Sequence, residues 1–545
     1  MLRRALVLIF GSLLPARAAQ CPPDAAPFTA PSAISDAEQL KYADLFTVVY
    51  HPTYKVIKYN PTQGKFQSGW PNPSLRNQRI PDLVLYQCGT TQPTSSYNDV
   101  SDDAWFFSVP IDKAALPWTG SLHFFELLSV TEAINAIDMT YISSPCAQLL
   151  EECTPGIHAA NSGAAWQTAA QNSEAVFTDS WGTGASNTTR DVVFDVSRDA
   201  GILPRAEWIK FLALFFNLEV AAGQAFSKIE SDYLSLRAEG TRLQEAAATT
   251  PNVAWVAWQG CADAACDGVA AGQWRQKADG NWCRCGSAYL IYNSHFRRDI
   301  TQDAGARLLT MPAQEGPGCR FLTNSDGSQT YECQSEGLDH YLQLLAQADM
   351  IVDETYVVNH GPYTLDDFVG TFASPNLTDL SMQAKLNSAV YRIDGSVSDA
   401  RDTGGQVGSN WFEAMPVQPQ QLLSDVMHAV WREAFNGPCS LTYLRNLYAA
   451  QARDPLEHSD CPLYDAAGTH DCAGIHDYEH QIHQCAIPPQ VGDSSDGDNT
   501  LALGLGLGLG IPVILLAAGA VGYCYCKSSK KGAAQSPTSP PSSGG

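Results

Sequence analysis

Apolar residues recur every three or four positions between Pro204 and Glu239, and this spacing predicts a long helix with one apolar face. Pro204 suits the first turn of a helix, and Gly240 suits its end. Gly223 could mark a kink or a junction between two helices. The pattern leaves two interpretations open, an ordinary core helix and a connector between two lobes.

Short runs rich in Val, Ile and aromatic residues alternate with helical patterns on both sides of this segment. Strands are predicted at 46–50, 54–59, 82–88, 105–111, 133–137, 173–179, 253–258, 350–356 and 390–393. Further helices are predicted at 122–128, 337–347 and 420–435. Strands that alternate with helices favour parallel sheets covered by helices. The expected fold class is therefore α/β, with two α/β lobes joined by the long helix.

Both ends of the chain carry targeting signals. Two arginines, an apolar run and an Ala-Arg-Ala site make residues 1–19 a predicted signal peptide. Residues 501–526 contain no charge and are followed by lysines, which predicts a single transmembrane helix with residues 527–545 in the cytoplasm. We therefore expect a single-pass type I cell-membrane protein with an extracellular or lumenal ectodomain.

These signals and the periodic segments predict the domain order. The segments are a signal peptide at 1–19, a leader at 20–41, an N-terminal α/β lobe at 42–202, the connecting helix at 203–240, a C-terminal α/β lobe at 250–435, a Cys/His-rich segment at 436–487, a stalk at 488–500, the transmembrane helix at 501–526 and the tail at 527–545.

Composition narrows the range of partners. The net charge is −24, and every acidic residue lies within the predicted ectodomain, which argues against nucleic acid as a partner. The chain has 16 cysteines, 14 of them in that ectodomain, an even number suited to disulfides. The close pairs Cys146/Cys153, Cys261/Cys266, Cys319/Cys333 and Cys472/Cys485 suggest local disulfide loops. Asn187 and Asn376 begin glycosylation sequons.

Several local strings resemble the class III periplasmic-binding-protein superfamily. They are VPIDKAALPW at 109–118, FFELLSVTEAINAI at 124–137, SEAVFTD at 173–179, ADMIVD at 348–353 and QLLSDVM at 421–427. The strings YQCGT at 86–90 and AEWIKFLALFFN at 206–217 are similar to membrane-anchored eukaryotic relatives from algae and oomycetes. The resemblance implies two lobes around a ligand cleft and a ligand such as a ferric siderophore, haem or cobalamin. Since this superfamily captures solutes and fixes no catalytic residues, it also implies that the chain is not an enzyme.

In parallel α/β sheets a ligand binds beyond the carboxyl ends of the strands. Five predicted loops in such positions combine aromatic rings, which can pack on a bulky ligand, with polar groups that orient it. The candidate ligand-binding residues are Trp118, Thr119, Asp179, Trp181, Trp258, Glu354, Tyr356, Trp411 and Glu413. For each single Trp, packing between the lobes is the alternative interpretation.

Histidines near the C-terminus form a second candidate site. They are His470, His476, His480 and His483, and imidazole nitrogens at such spacings can bind zinc or copper. The segment lacks the His-Glu-x-x-His pattern of a metalloprotease, and a disulfide-closed surface stalk is the alternative.

The sequence thus predicts an anchored solute-binding protein that captures an iron chelate, haem or corrinoid for uptake, with a membrane transporter or endocytic protein as a partner. An adhesion or signalling ectodomain without a small ligand, a metal-storage protein and an enzyme are the alternatives.

Overall fold

The computed structural model describes residues 39–461, apart from 69, 162, 261–273, 277–281, 325–326, 356–362, 373–387, 399–406 and 436–440. The predicted signal peptide, stalk, transmembrane helix and tail lie outside these residues. Within the described part of the chain, no helix is both long and apolar enough to cross a membrane. The chain divides into two compact units, 1–488 and 489–545, and all described residues belong to the first.

Lobe 1 is the part that contains two four-stranded sheets. Its strands are β1 (Phe46–Tyr50), β2 (Tyr54–Tyr59), β3 (Leu83–Gln87), β4 (Trp105–Val109), β5 (Ala114–Leu116), β6 (Ile134–Ile137), β7 (Ala175–Thr178) and β8 (Asp191–Val193). Its helices are α1 (Leu122–Leu127), α2 (Pro145–Cys153) and α3 (Gly163–Gln171). The first sheet has the order β1-β2-β3-β4, with only β3 and β4 parallel. The second has the order β6-β5-β7-β8 and is parallel throughout.

The long helix predicted over 203–240 is wrong in its first half. Three helices replace it, namely α4 (Leu203–Ala206), α5 (Trp208–Ala213) and α6 (Glu219–Ala246). The break falls at 214–218, not at Gly223, and Asn217 there has a φ of 56°. Two carbonyl oxygens of this turn bond outside the helix. That of Phe215 accepts from the Ile111 N–H, and that of Leu214 accepts from the Lys55 ammonium group. At these two positions tertiary contacts therefore replace helical hydrogen bonds.

Helix α6 packs in both lobes. Phe226 and Ile229, in its first half, belong to the apolar core of lobe 1. Tyr233, Leu236 and Leu243, in its second half, belong to that of lobe 2. A single helix thus contributes to both cores, and this ties the lobes together.

Gly240 does not end α6 as the pattern predicts. It marks the point where α6 meets α7, because a Cβ at Gly240 would lie 2.2 Å from the Asp303 carbonyl oxygen. A close approach of two backbones explains this glycine better than a helix end does.

Lobe 2 is built on an eight-stranded mixed sheet. The strands that follow α6 are β9 (Asn252–Gln259), β10 (Trp274–Gln276), β11 (Trp282–Arg284), β12 (Ala288–Asn293), β13 (Arg307–Leu308), β14 (Cys319–Thr323), β15 (Gln329–Gln334), β16 (Met350–Asp353), β17 (Val390–Arg392), β18 (Ser396–Ser398), β19 (Arg445–Asn446) and β20 (Asp454–Leu456). The helices are α7 (His295–Asp303), α8 (Leu338–Leu345), α9 (Leu365–Phe372), α10 (Asn410–Glu413) and α11 (Pro419–Val430).

The main sheet of lobe 2 has the order β14-β15-β12-β9-β16-β17-β19, with β13 beside β9. Only β9, β13, β16 and β17 pair in parallel. The α/β class is therefore observed, with more antiparallel pairing than the alternating pattern predicts. A smaller sheet pairs β10 with β11.

Residues 441–461 form a strap that runs from lobe 2 to lobe 1. Strand β20 of this strap pairs with β18 of lobe 2, and the Leu456 carbonyl accepts a bond from the Gln148 amide of lobe 1. The strap ends in a disulfide between Cys461 and Cys146 of α2. The suggested local pair Cys146/Cys153 is therefore wrong, because tertiary folding brings Cys461 to α2. The suggested pair Cys319/Cys333 is confirmed.

Candidate functional site

A cavity of about 610 Å³ lies between the two lobes. Lobe 1 lines it from the ends of β5 and β6 and from the loops on either side of β8, α4 contributes Arg205, and lobe 2 lines it from β16, α7 and α10. The lining residues are Pro117, Trp118, Thr119, Asp138, Tyr141, Asn161, Thr183, Val196, Ser197, Arg205, Phe296, Arg297, Glu354, Val407, Ser409, Trp411, Phe412, Met415 and Pro416. Its volume falls within the range of small-molecule sites in proteins.

Aromatic rings from both lobes line this cavity. Tyr141 of lobe 1 is 36% exposed and Phe412 of lobe 2 is 49% exposed, although both are large apolar residues. Trp118 of lobe 1 and Phe296 of lobe 2 also line the cavity. Rings that are partly exposed in the cavity wall can pack against an apolar ligand surface.

The polar part of the lobe 2 wall is an ion pair. The guanidinium group of Arg297 donates two hydrogen bonds to the carboxylate of Glu354, and a third, of 2.7 Å, to the Ser294 hydroxyl. The same guanidinium lies 4.4 Å from the centre of the Phe296 ring, and that of Arg205 lies 4.3 Å from it. The pair and the stacking hold Arg297 in one orientation, so this part of the wall is preformed.

The polar part of the lobe 1 wall is a carboxylate at the end of β6. Asp138 accepts hydrogen bonds from the N–H and hydroxyl of Thr140 and from the N–H of Asn161. The Asn161 side chain donates to the Pro117 carbonyl at 2.8 Å. These bonds fix the loops after β5 and β6 against each other.

Four of the predicted ligand-binding residues line the cavity. They are Trp118, Thr119, Glu354 and Trp411. Trp411 is only 3% exposed and packs against Trp255, with 6.0 Å between their ring centres, so most of its ring belongs to the core of lobe 2. It lies on α10, not in a loop as the sequence predicts.

Glu413 lies between the lobes and not on the cavity wall. Its carboxylate accepts hydrogen bonds from the backbone N–H groups of Ser143, at 2.9 Å, and Ser144, at 2.7 Å, and from the Thr119 hydroxyl. Burial raises its pKa to about 7. Its hydrogen bonds go to lobe 1, so the structure gives it a role in the contact between the lobes, and the predicted ligand contact stays a prediction.

Three more predicted residues lie away from the cavity. Asp179 accepts from the N–H and hydroxyl of Thr183, so it supports a lining residue without reaching the cavity itself. Trp181 is 54% exposed on the surface beside it. Trp258 lies on β9 and packs at the edge of another apolar cluster. Tyr356 lies outside the described residues.

Most of the residues that line the cavity are not among those that the sequence predicts. Asp138 follows β6 directly and satisfies the strand-end rule, so it could have been found by that rule. Arg205, Phe296 and Arg297 lie on helices, and Tyr141 lies in a loop with no local signal. Only the folded chain shows that these residues meet.

The four candidate metal-binding histidines, His470, His476, His480 and His483, lie outside the described residues. Within the part of the chain that the structure describes, no group of three or more His, Cys, Asp or Glu side chains could hold a metal ion. Asn187 is exposed in the loop before β8, as a glycosylation site requires, whereas Asn376 lies outside the described residues.

No protein-family model matches the chain, and no curated protein sequence matches it. Its backbone is similar to that of several solved solute-binding proteins. A periplasmic haem-binding protein of Pseudomonas aeruginosa aligns over 63% of this chain and 99% of its own, with a TM-score of 0.37 and 11% identity. An ABC transporter substrate-binding protein of Listeria monocytogenes aligns over 59% of this chain and 99% of its own, with a TM-score of 0.34 and 12% identity. A periplasmic haem-binding protein of Vibrio cholerae aligns over 57% of this chain and 98% of its own, with a TM-score of 0.35 and 14% identity.

Proposed function

We propose that this protein is a membrane-anchored solute-binding protein that captures a bulky, largely apolar small molecule between its lobes for uptake. The observation that carries the proposal is the cavity of about 610 Å³, which both lobes line with aromatic rings. Most of the exposed surface of its wall is apolar, and a cavity of this kind and size suits a ligand that is held mainly by burial of its surface.

The resemblance of the sequence to siderophore-, haem- and cobalamin-binding proteins supports the choice of ligands to test. A flat macrocycle such as haem, a corrinoid and a ferric siderophore all present large surfaces on which the rings of Tyr141 and Phe412 can pack. The anchor proposed for this function is the uncharged segment at 501–526.

The decisive test is ligand-dependent stabilisation of the full chain in detergent micelles. Haem, cobalamin, ferric siderophores and free metal ions are added one at a time, and unfolding is followed in urea. A ligand at one hundred times its dissociation constant adds about 2.7 kcal/mol to the free energy of unfolding. No stabilisation by any of these probes would contradict the proposal and favour an adhesion or signalling role, and turnover of a probe would favour an enzyme.

Two matched variants locate the site. Phe412→Ala removes a ring that is 49% exposed in the cavity wall, and Trp181→Ala removes one that is 54% exposed outside it. We expect the first to weaken ligand binding and the second to leave it unchanged, with little loss of stability in either. Equal effects on binding would place the ligand elsewhere.

A further inference from the structure

The contact between the two lobes lies next to the cavity. Glu413 of α10 is fully buried and accepts hydrogen bonds from the backbone N–H groups of Ser143 and Ser144 of lobe 1, at 2.9 and 2.7 Å. Trp411 and Phe412, which line the cavity, lie on the same short helix. Any separation of α10 from lobe 1 therefore moves part of the cavity wall.

The strap at 441–461 reaches the same contact through one side chain of α2. The amide of Gln148, which is only 4% exposed, donates to the Ser143 carbonyl at 3.1 Å and to the Leu456 carbonyl of the strap at 2.8 Å. Ser143 therefore bonds to Glu413 through its N–H and, through its carbonyl, is linked to the strap by Gln148.

The strap also returns to α10 on the lobe 2 side. Leu456 is the last residue of β20, which pairs in parallel with β18. Val397 of β18 forms a bridge with Ser409, and the Ser409 hydroxyl caps α10 by accepting from the Trp411 N–H at 3.4 Å. The contacts thus form a closed ring from α10 to α2, from α2 to the strap, and from the strap through β18 back to α10.

The two ends of the strap are fixed in different lobes. At the lobe 2 end, buried Arg445 donates two hydrogen bonds of 2.8 Å to the buried carboxylate of Asp394. At the lobe 1 end, the disulfide between Cys461 and Cys146 joins the strap covalently to α2. Residues 457–460 alone separate β20 from Cys461, so the strap has little slack at this end.

We propose that the strap and its disulfide act as a tie across the cleft, which keeps α10 against lobe 1 and so fixes the width of the cavity. Two groups that are tied together stay at a high local concentration, so the hydrogen bonds to Glu413 re-form quickly whenever they break. Without the tie the contact should open more often. For the ligand the inference rests on the proposed function, because a cleft that opens more often should release its ligand sooner.

Hydrogen exchange of single amides in the ligand-free full chain tests this inference. In a Cys146→Ser/Cys461→Ser variant the tie is removed, while α6 still packs in both lobes. The N–H groups of Ser143 and Ser144 should then lose protection on the order of tenfold, because their bonds to Glu413 break whenever the contact opens.

The matched control amides also donate to buried carboxylates, but within a single lobe. The Ser186 N–H of lobe 1 donates to Asp191 at 2.7 Å, and the Tyr443 N–H donates to Asp425 of lobe 2 at 2.6 Å. Their protection should change by less than about twofold, because opening of the cleft leaves these bonds intact.

A second variant cuts the tie without replacing a cysteine, and it serves also if the serine variant does not fold. A protease recognition sequence is inserted between Ser459 and Asp460, which are both exposed, and the folded chain is cleaved there. Cleavage leaves α2 and its disulfide unchanged. It should lower the protection of Ser143 and Ser144 as the serine variant does, relative to the same chain before cleavage.

Cys319→Ser/Cys333→Ser removes a disulfide that lies within lobe 2 and should leave the protection of Ser143 and Ser144 unchanged. Unchanged protection of these two amides after cleavage, or an equal loss at the control amides, would overturn the inference. Since the measurement uses no ligand, a chain that shows the selective loss but binds none of the probes would contradict the proposed function alone.

Discussion

The guanidinium group of Arg297 and the carboxylate of Glu354 form a two-point ion pair in the wall of the cleft, with side chains only 14% and 8% exposed. Such a pair is shielded from water far more than a surface ion pair. We expect Glu354→Gln to lower the free energy of unfolding by about 1–3 kcal/mol, because a buried guanidinium loses its charged acceptor. A double-mutant cycle with Arg297→Gln should show coupling between the two side chains.

The control for this cycle is the exposed pair of Lys228 and Asp232 on α6, whose side chains are 70% and 30% exposed. Its coupling should be only about 0.3–0.5 kcal/mol. Equal coupling in the two pairs would show that burial in the cleft wall does not strengthen the Arg297–Glu354 pair.

Trp118 and Trp411 should respond differently to truncation, although both line the cavity. Trp411→Ala should cost roughly 3–5 kcal/mol of stability, because its ring is buried in the core of lobe 2. Trp118 is only half-buried, so Trp118→Ala should cost less stability and weaken ligand binding by at least about tenfold, or 1.4 kcal/mol. Urea unfolding and ligand titration of both variants make the comparison. Normal binding by a folded Trp118→Ala variant would contradict its place in the site.

Gly240 should not tolerate a methyl group. The added Cβ would lie 2.2 Å from the Asp303 carbonyl oxygen, so α6 and α7 would have to separate. We expect Gly240→Ala to destabilise the protein by about 1–3 kcal/mol. The matched control is Gly370→Ala on α9, where a Cβ has no neighbour within 4 Å and should stabilise by roughly 0.5–1 kcal/mol. In thermal unfolding, the midpoint temperature should therefore fall for Gly240→Ala and rise for Gly370→Ala.

The disulfide between Cys146 and Cys461 should contribute more stability than that between Cys319 and Cys333. The first pair is separated by 315 residues and the second by 14, so the first restricts the unfolded chain more. Replacing both cysteines of the first pair by serine should cost about 2–5 kcal/mol, and replacing the second pair should cost less. Urea unfolding of the two double variants tests this order. A larger loss of stability on replacing Cys319 and Cys333 would contradict the prediction.

Asp425 should make the free energy of unfolding depend on pH between about pH 4 and pH 6. It is fully buried, accepts from the N–H groups of Thr442, Tyr443 and Leu444, and has a pKa that burial raises from 3.8 to about 6. Because the folded value is the higher one, its contribution is present below about pH 4 and lost as the pH rises to about 6. Asp425→Asn should abolish this dependence and destabilise the protein at pH 7 by about 1–3 kcal/mol, since its NH₂ group faces backbone donors.

Urea unfolding of the natural protein and of this variant is measured from pH 4 to pH 6.5. The difference between their free energies of unfolding isolates the contribution of Asp425 from that of other carboxylates. A difference that does not change with pH would contradict the raised pKa.

Local pattern was sufficient for the class of the fold and for nine of the strands, namely β1–β4, β6, β7, β9, β16 and β17. Runs rich in Val, Ile and Tyr on either side of His51 and Pro52 form a hairpin-like pattern, and β1 and β2 have the predicted bounds of Phe46–Tyr50 and Tyr54–Tyr59 and pair antiparallel. Strand order could not be predicted in the same way, because pairing depends on contacts between residues far apart in the sequence. The antiparallel partners β12 and β15 therefore appear only in the folded chain.

The sequence by itself determined that aromatic and polar residues follow the strands, and Trp118 and Glu354 indeed line the cavity. Only the tertiary structure decided which of these residues share a site. Trp181 and Glu413 satisfy the same local rule, yet one lies on the surface and the other joins the lobes. The physical reason is that local spacing sets the face of an element on which a side chain lies, whereas the packing of the two lobes decides what that face meets.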